Sequence, residues 1–205
     1  MQLHRYYVTD LGLLTVGPCA VSHPAPVCGR TGVPQLSLHT PIGDLTVSEE
    51  DGAIVALDWG WSRDQTATQL LRRACGQLHA YFDWELRAFD LPTAPAGTPY
   101  RRRVWQSLCS IPYGQTRSYG AIATLAGGSA RSVGQANGCN PIPIIIPCHR
   151  VVASTHLGGY SGGEGLATKR FLLALEAHEI PGCHLPRPDP GPTTEDQDDQ
   201  GHPHP

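Results

Sequence analysis

Between residues 36 and 84 the apolar positions change their spacing, and that switch limits the folds open to this chain. Residues 36–40, 45–47 and 53–59 are short runs built on Leu, Val, Ile and Thr, separated by Pro41-Ile42-Gly43 and Glu50-Asp51-Gly52. Such runs read as strands joined by tight turns. Residues 65–84 instead carry Leu70, Leu71, Ala74, Leu78, Tyr81 and Phe82 at the three- and four-residue intervals of a helix face. The spacing then predicts helices over residues 101–110 (Val104, Trp105, Leu108), 118–126 (Tyr119, Ile122, Ala123, Ala126), 130–137 and 167–178. Strands first and helices afterwards predict an α/β chain of the α+β kind, with a small antiparallel sheet.

The proline-bearing stretch 92–99 divides the folded part into a strand-rich N-terminal domain, residues 36–92, and a helical domain, residues 93–180. Residues 1–35, with Pro18, Pro24, Pro26 and Pro34, show no sustained periodicity and form an extension of unassigned order. Residues 181–205 are acidic, Pro-rich and almost free of apolar side chains, the composition of a disordered tail. No segment has the long apolar run of a membrane helix, and Met1 to Arg5 does not open like a secretory signal. Seven scattered cysteines without a C-x-x-C pair argue for a reducing compartment, so a cytoplasmic protein is expected. Cys19, His23 and Cys28 lack the spacing of a tetrahedral zinc set, and no metal is expected.

Charge is divided as the patterning is. The net charge is −3, but residues 36–92 balance to −5 and residues 93–180 to +5. A basic helical half beside an acidic sheet half suggests that only the former meets a polyanion. Residues 118–126, a glycine turn and residues 130–137 have the lengths of a helix-turn-helix, and the small residues Ala130, Ser132, Gly134 and Ala136 would let its second helix approach a groove closely.

That helix leads into Asn140-Pro141-Ile142-Pro143-Ile144-Ile145-Ile146-Pro147-Cys148-His149-Arg150. The isoleucine run predicts a buried strand ended by Pro147, which puts Cys148 where a buried element meets a polar site. A thiol becomes a strong nucleophile only as thiolate, so it needs a base or a positive charge nearby. In an extended chain His149 would point away from Cys148, so it is expected to act through a water molecule. Taken alone, a Cys-His dipeptide is weak evidence and fits a packed structural cysteine better than a nucleophile; a Cys-His hydrolase is the unrelated alternative.

The run Pro147-Cys148-His149-Arg150-Val151 resembles the active-site signature of the O6-alkylguanine-DNA alkyltransferases, the methylated-DNA–protein-cysteine methyltransferases. Gly97-Thr98-Pro99-Tyr100, Ile111-Pro112-Tyr113-Gly114, Ser118-Tyr119-Gly120, Ala130-Arg131-Ser132-Val133-Gly134, Asn140-Pro141 and Tyr160-Ser161-Gly162-Gly163 with Leu172 to Glu176 resemble further family segments, in family order, across residues 36–180. The resemblance implies a single-turnover transferase that flips alkylated guanine out of double-stranded DNA and moves the alkyl group to Cys148. It needs no cofactor, no small-molecule partner and no membrane, and works as a monomer. It implies that Glu176 polarises His149, that Asn140 steadies the turn at the thiol, and that Tyr119 hydrogen-bonds the leaving base. Arg131 would fill the gap left in the stack, and Ser132, Ser154, Tyr160 and Ser161 would contact DNA or line the pocket. The family's sensor proteins, which bind lesions without transfer, replace the acceptor cysteine that is present here. The turn before Ala130 is shorter than in familiar members, Ser132 stands where alanine is usual, and residues 162–166 are longer.

Overall fold

The computed structural model describes residues 32–177. Cys19, His23, Cys28, the acidic tail and the expected end of the last helix at His178 lie outside the described residues.

The three strand runs form an antiparallel meander: β1 (Gln35–Thr40), β2 (Gly43–Glu50) and β3 (Ala53–Trp59), in that order. The register opposes Leu38 to Leu45 and Leu45 to Trp59. Leu38, Leu45, Val47, Ile54 and Leu57 are buried. α1 (Gln69–Phe82) lays Leu71, Ala74 and Leu78 against the sheet. It starts four residues later than its periodicity suggests because the Thr68 side chain accepts from the Leu71 N–H and caps it. Each fully buried leucine here contributes about 2 kcal/mol.

The free edge of β3 is not left open to another chain. Ile54 exchanges hydrogen bonds with the returning segment (Ile54 N–H to Pro92 carbonyl, 2.8 Å; Ala94 N–H to Ile54 carbonyl, 2.9 Å). Further along, the Leu57 N–H donates to the Pro141 carbonyl at 2.9 Å, which joins the sheet to the segment before Cys148.

The second half is helical as expected: α2 (Pro99–Cys109), α3 (Tyr119–Ala126), α4 (Ala130–Gly138) and α5 (Leu166–Glu176). Thr98 caps α2 with Pro99 in its first turn, and Ser118 and Ser129 cap α3 and α4, so each boundary is written locally. Trp105 is buried and donates its indole N–H to the Ala136 carbonyl at 2.9 Å, tying α2 to α4. A two-residue parallel pairing of β4 (Arg117–Ser118) with β5 (Val151–Val152) links the start of α3 to the chain after Cys148. No helix among the described residues is long and apolar enough to cross a membrane.

One expectation fails. Ile144, Ile145 and Ile146 are buried but form no strand; Pro143 and Ile146 make an isolated bridge, and Ile144 sits at φ 71° in a turn. Pro141, Pro143 and Pro147 have no N–H to donate, so a ladder cannot propagate through them. Asn140 takes over the sheet's role, donating its side-chain amide to the Ile146 carbonyl at 2.8 Å and accepting from the Ile142 N–H at 3.1 Å. Holding a β-branched residue at positive φ costs about 1–3 kcal/mol, and the burial of the four isoleucines from 142 to 146 offsets it.

Candidate active site

Cys148 opens a 3-10 turn, Cys148–Arg150, and is 4% exposed. Its N–H donates to the Ile146 carbonyl at 2.8 Å, and its carbonyl accepts from the Asn137 side-chain amide at 3.2 Å. Asn137 belongs to α4, so the second helix of the helix-turn-helix is bonded to the backbone of the thiol residue itself. A cavity of about 690 Å³ opens over the thiol, with Tyr119, Asn137, Asn140, Gly158 and Tyr160 among its lining. Burial pushes the Cys148 thiol up, while Asn140, Tyr160 and the Lys169 charge pull the other way without cancelling it. At neutral pH the resting group is therefore a thiol that must lose its proton to react.

Because the turn is helical rather than extended, His149 follows Cys148 into the core, and the premise that the two residues lie along an extended chain is corrected. His149 is fully buried, and its Nε2 meets the Glu176 Oε1 at 2.8 Å. A carboxylate only accepts, so Nε2 carries the proton and Nδ1 keeps its lone pair. Nδ1 is buried and has no hydrogen-bond partner among the described residues. Glu176, from α5, also accepts from Arg150 (Nε to Oε2, 2.9 Å; Nη2 to Oε1, 2.9 Å), the Tyr81 hydroxyl at 2.8 Å and the Gly114 N–H at 3.2 Å. Burial alone would raise the Glu176 carboxyl, but the hydrogen bonds and charges of His149 and Arg150 outweigh it and hold it at about 2. Burial also lowers His149, against the opposing pull of Glu176. The arrangement is a neutral imidazole with one free basic nitrogen, oriented by an ionised carboxylate.

These shifts set a pH dependence of stability. The forms the fold holds, carboxylate and neutral imidazole, are those present in the unfolded chain only above its ordinary values of 4.5 and 6.5. Stability is therefore full above about pH 6.5 and falls as the unfolded chain takes up protons that the folded chain refuses. The Glu176 share is on the order of 3 kcal/mol, lost between 4.5 and about 2. Urea midpoints measured from pH 7 to pH 3 should drop steadily; a flat profile would contradict the ion network.

Lys169, the chain's single lysine, is fully buried on α5. Its ammonium donates to the carbonyls of Val151 at 2.6 Å, Leu157 at 2.5 Å and Gly159 at 3.2 Å, and stands 6.0 Å from the Tyr119 ring centre. Burial draws its pKa down to about 8. Only the charged form has three protons for three carbonyls, so Lys169 pins the 151–159 loop that walls the cavity.

Two family models match the chain in succession: "6-O-methylguanine DNA methyltransferase, ribonuclease-like domain" over residues 36–95 and "6-O-methylguanine DNA methyltransferase, DNA binding domain" over residues 99–178. The chain belongs to this methyltransferase family. The methylated-DNA–protein-cysteine methyltransferase of Mycolicibacterium paratuberculosis is 44% identical over 158 residues, which cover 71% of this chain and 93% of that one. The crystal structure of Mycobacterium tuberculosis O6-methylguanine methyltransferase superposes with a TM-score of 0.66 at 40% identity, covering 74% of this chain and 96% of its own. A structure of the Mycobacterium tuberculosis OGT in complex with DNA gives 0.63 at 42% identity, covering 70% and 92%.

Of the residues singled out by resemblance to the family, Tyr119, Asn140, Tyr160 and Ser161 line the same cavity as Cys148. His149 and Glu176 meet behind it. Arg131 is exposed on the first turn of α4, next to Ala130, which lines the cavity. Ser132 departs from a groove-facing role: its hydroxyl completes the Ser129 capping box and meets the Tyr100 hydroxyl at 2.7 Å. Ser154 is exposed and outside the cavity lining, because the loop turns there and presents Ala153 and His156 instead. Asn137, Lys169 and Tyr81 were not found from sequence. A polar residue on an apolar helix face (Asn137 beside Val133 and Ala136) and a lysine in an otherwise arginine-only chain were the available signals.

Proposed function

We propose that this chain repairs DNA by direct reversal, moving an alkyl group from O6 of guanine in a duplex to the sulfur of Cys148. The observation that carries the reading is the buried thiol lining a cavity large enough to admit a base, followed in the same turn by a neutral histidine with a free Nδ1. In a stacked duplex a buried sulfur cannot reach O6, so the lesion must leave the stack and enter the cavity. His149 takes the thiol proton, directly or through water, and passes positive charge toward Glu176 as in other oriented acid–base pairs. The sulfur then attacks the alkyl carbon. The C–S bond forms as the C–O bond breaks, its electron pair goes to the base, and the Tyr119 hydroxyl donates to that base as charge develops. A thioether has no easy route back, so each molecule reacts once. One lesion needs one thiol, which fits a monomer acting without cofactor in the cytoplasm.

Intact-protein mass spectrometry after mixing with excess O6-methylguanine duplex should show one added methylene mass, on the peptide carrying Cys148 and stopping at one. Tight lesion binding with no mass gain would refute transfer.

Arg131 tests base flipping separately from chemistry. Arg131→Ala should slow transfer from duplex DNA by about tenfold, since a wedge that fills the vacated stack lowers the cost of extrusion. Reaction with the free base O6-benzylguanine, which has no stack to leave, should be unchanged. Equal slowing of both would assign Arg131 to the chemistry or the fold instead.

A further inference from the structure

One wall of the cavity over Cys148 comes from the sheet. Trp59, the last residue of β3, lines it together with Leu57 and Asp58. The bond from the Leu57 N–H to the Pro141 carbonyl fixes this end of β3 beside the segment that carries the thiol. The Trp59 indole lies along the Gly162-Gly163 turn. A β-carbon on Gly162 would stand 2.4 Å from its Cη2, and one on Gly163 would stand 2.8 Å from its Nε1. The Gly162 position would also be 2.9 Å from Cε1 of Tyr160, whose hydroxyl influences the Cys148 thiol. The turn can carry no side chains of its own, and the indole supplies the wall they would have made.

We propose that Trp59 determines which alkyl groups the site accepts, offering a flat apolar surface to groups larger than methyl and above all to arylmethyl groups. This rests on the alkyl-transfer reading. A cavity of about 690 Å³ is of the size that houses a whole drug-like ligand, so guanine with a methyl group leaves part of it unfilled. A methyl group carried to Cys148 has nothing to gain from the sheet-side wall. A benzyl group has an aromatic face to place there, and paired rings gain beyond the area they bury.

Single-turnover transfer by the full chain from duplexes carrying O6-methylguanine or O6-benzylguanine tests this. Trp59→Ala should slow benzyl transfer by about tenfold and leave methyl transfer within about twofold. Trp59→Phe should keep most of the benzyl rate, whereas Trp59→Leu, which fills space without a ring, should lose it. The latter pair decides the matter if the alanine variant does not fold. Slowing of both lesions alike, or faster benzyl transfer in Trp59→Ala or Trp59→Leu, overturns the assignment. Wild-type protein that transfers methyl but not benzyl also overturns it while leaving the repair reading intact; transfer of neither removes both.

Discussion

Cys148→Ala is expected to end alkyl transfer while preserving the fold and the binding of lesion DNA. Cys148 is 4% exposed, and its bonds to Ile146 and Asn137 run through its backbone, while the side chains of Asn140 and Tyr160 face the thiol. Removing one buried sulfur leaves a small void, costing about 1 kcal/mol by the cavity rule, and it removes no hydrogen bond that holds α4. The other described cysteines cannot substitute. Burial pushes Cys75 up to about 12, and Cys109 and Cys139 are exposed and outside the cavity lining. The fall should exceed about a thousandfold, because no other group supplies a soft nucleophile in line with the alkyl carbon. Transfer followed by mass, and binding followed by gel shift, separate the two properties. Residual transfer in Cys148→Ala would sink the mechanism, and loss of binding would show that the thiol has a structural role.

What the sequence reveals and what it hides differ for physical reasons. The strands and helices were legible because their apolar periods are local; the boundaries were less so, since periodicity does not mark the caps that Thr68, Thr98, Ser118 and Ser129 supply. The isoleucine run misled because hydrophobicity reports burial, and only the interleaved prolines report that no ladder can form there. Cys148, His149 and Glu176 were singled out through a family signature; composition and spacing alone left Cys148 indistinguishable from a packed cysteine. The rest of the site is assembled over long separations. Tyr81 reaches Glu176 across 95 residues and Arg150 reaches the Ile111 carbonyl across 39, and no local pattern records such pairings. Ser132 shows how one local pattern can carry two readings. A hydroxyl next to a predicted groove suggested DNA, while the serine three residues after an N-cap serine is also the position that completes a capping box.

Glu176→Gln is expected to leave a folded but nearly inactive protein, and Glu176→Ala one that is unstable as well. The alanine variant strands the buried Arg150 guanidinium, the Tyr81 hydroxyl and the Gly114 N–H together, and removing one partner of a buried ion pair costs about 3–5 kcal/mol. Glutamine keeps the volume and one acceptor oxygen but brings an NH2 that only donates. Both carboxylate oxygens accept from Arg150, so the NH2 opposes a donor at either position; at the Oε1 position it faces His149 Nε2, where two donors cannot meet. The imidazole escapes by moving its proton to Nδ1, the nitrogen that the thiol needs as its base. A wrong tautomer at an oriented histidine costs on the order of 10⁴ in rate where the equivalent acid-to-amide change has been made in a serine protease. A loss of about 10²–10⁴ is expected here, with Cys148 still present and the cavity still formed. Raising the pH should restore part of the rate in Glu176→Gln, because hydroxide then removes the thiol proton without help from His149. That recovery separates a lost base from a distorted site. A Glu176→Gln protein that transfers at the wild-type rate would show that the carboxylate serves only the fold.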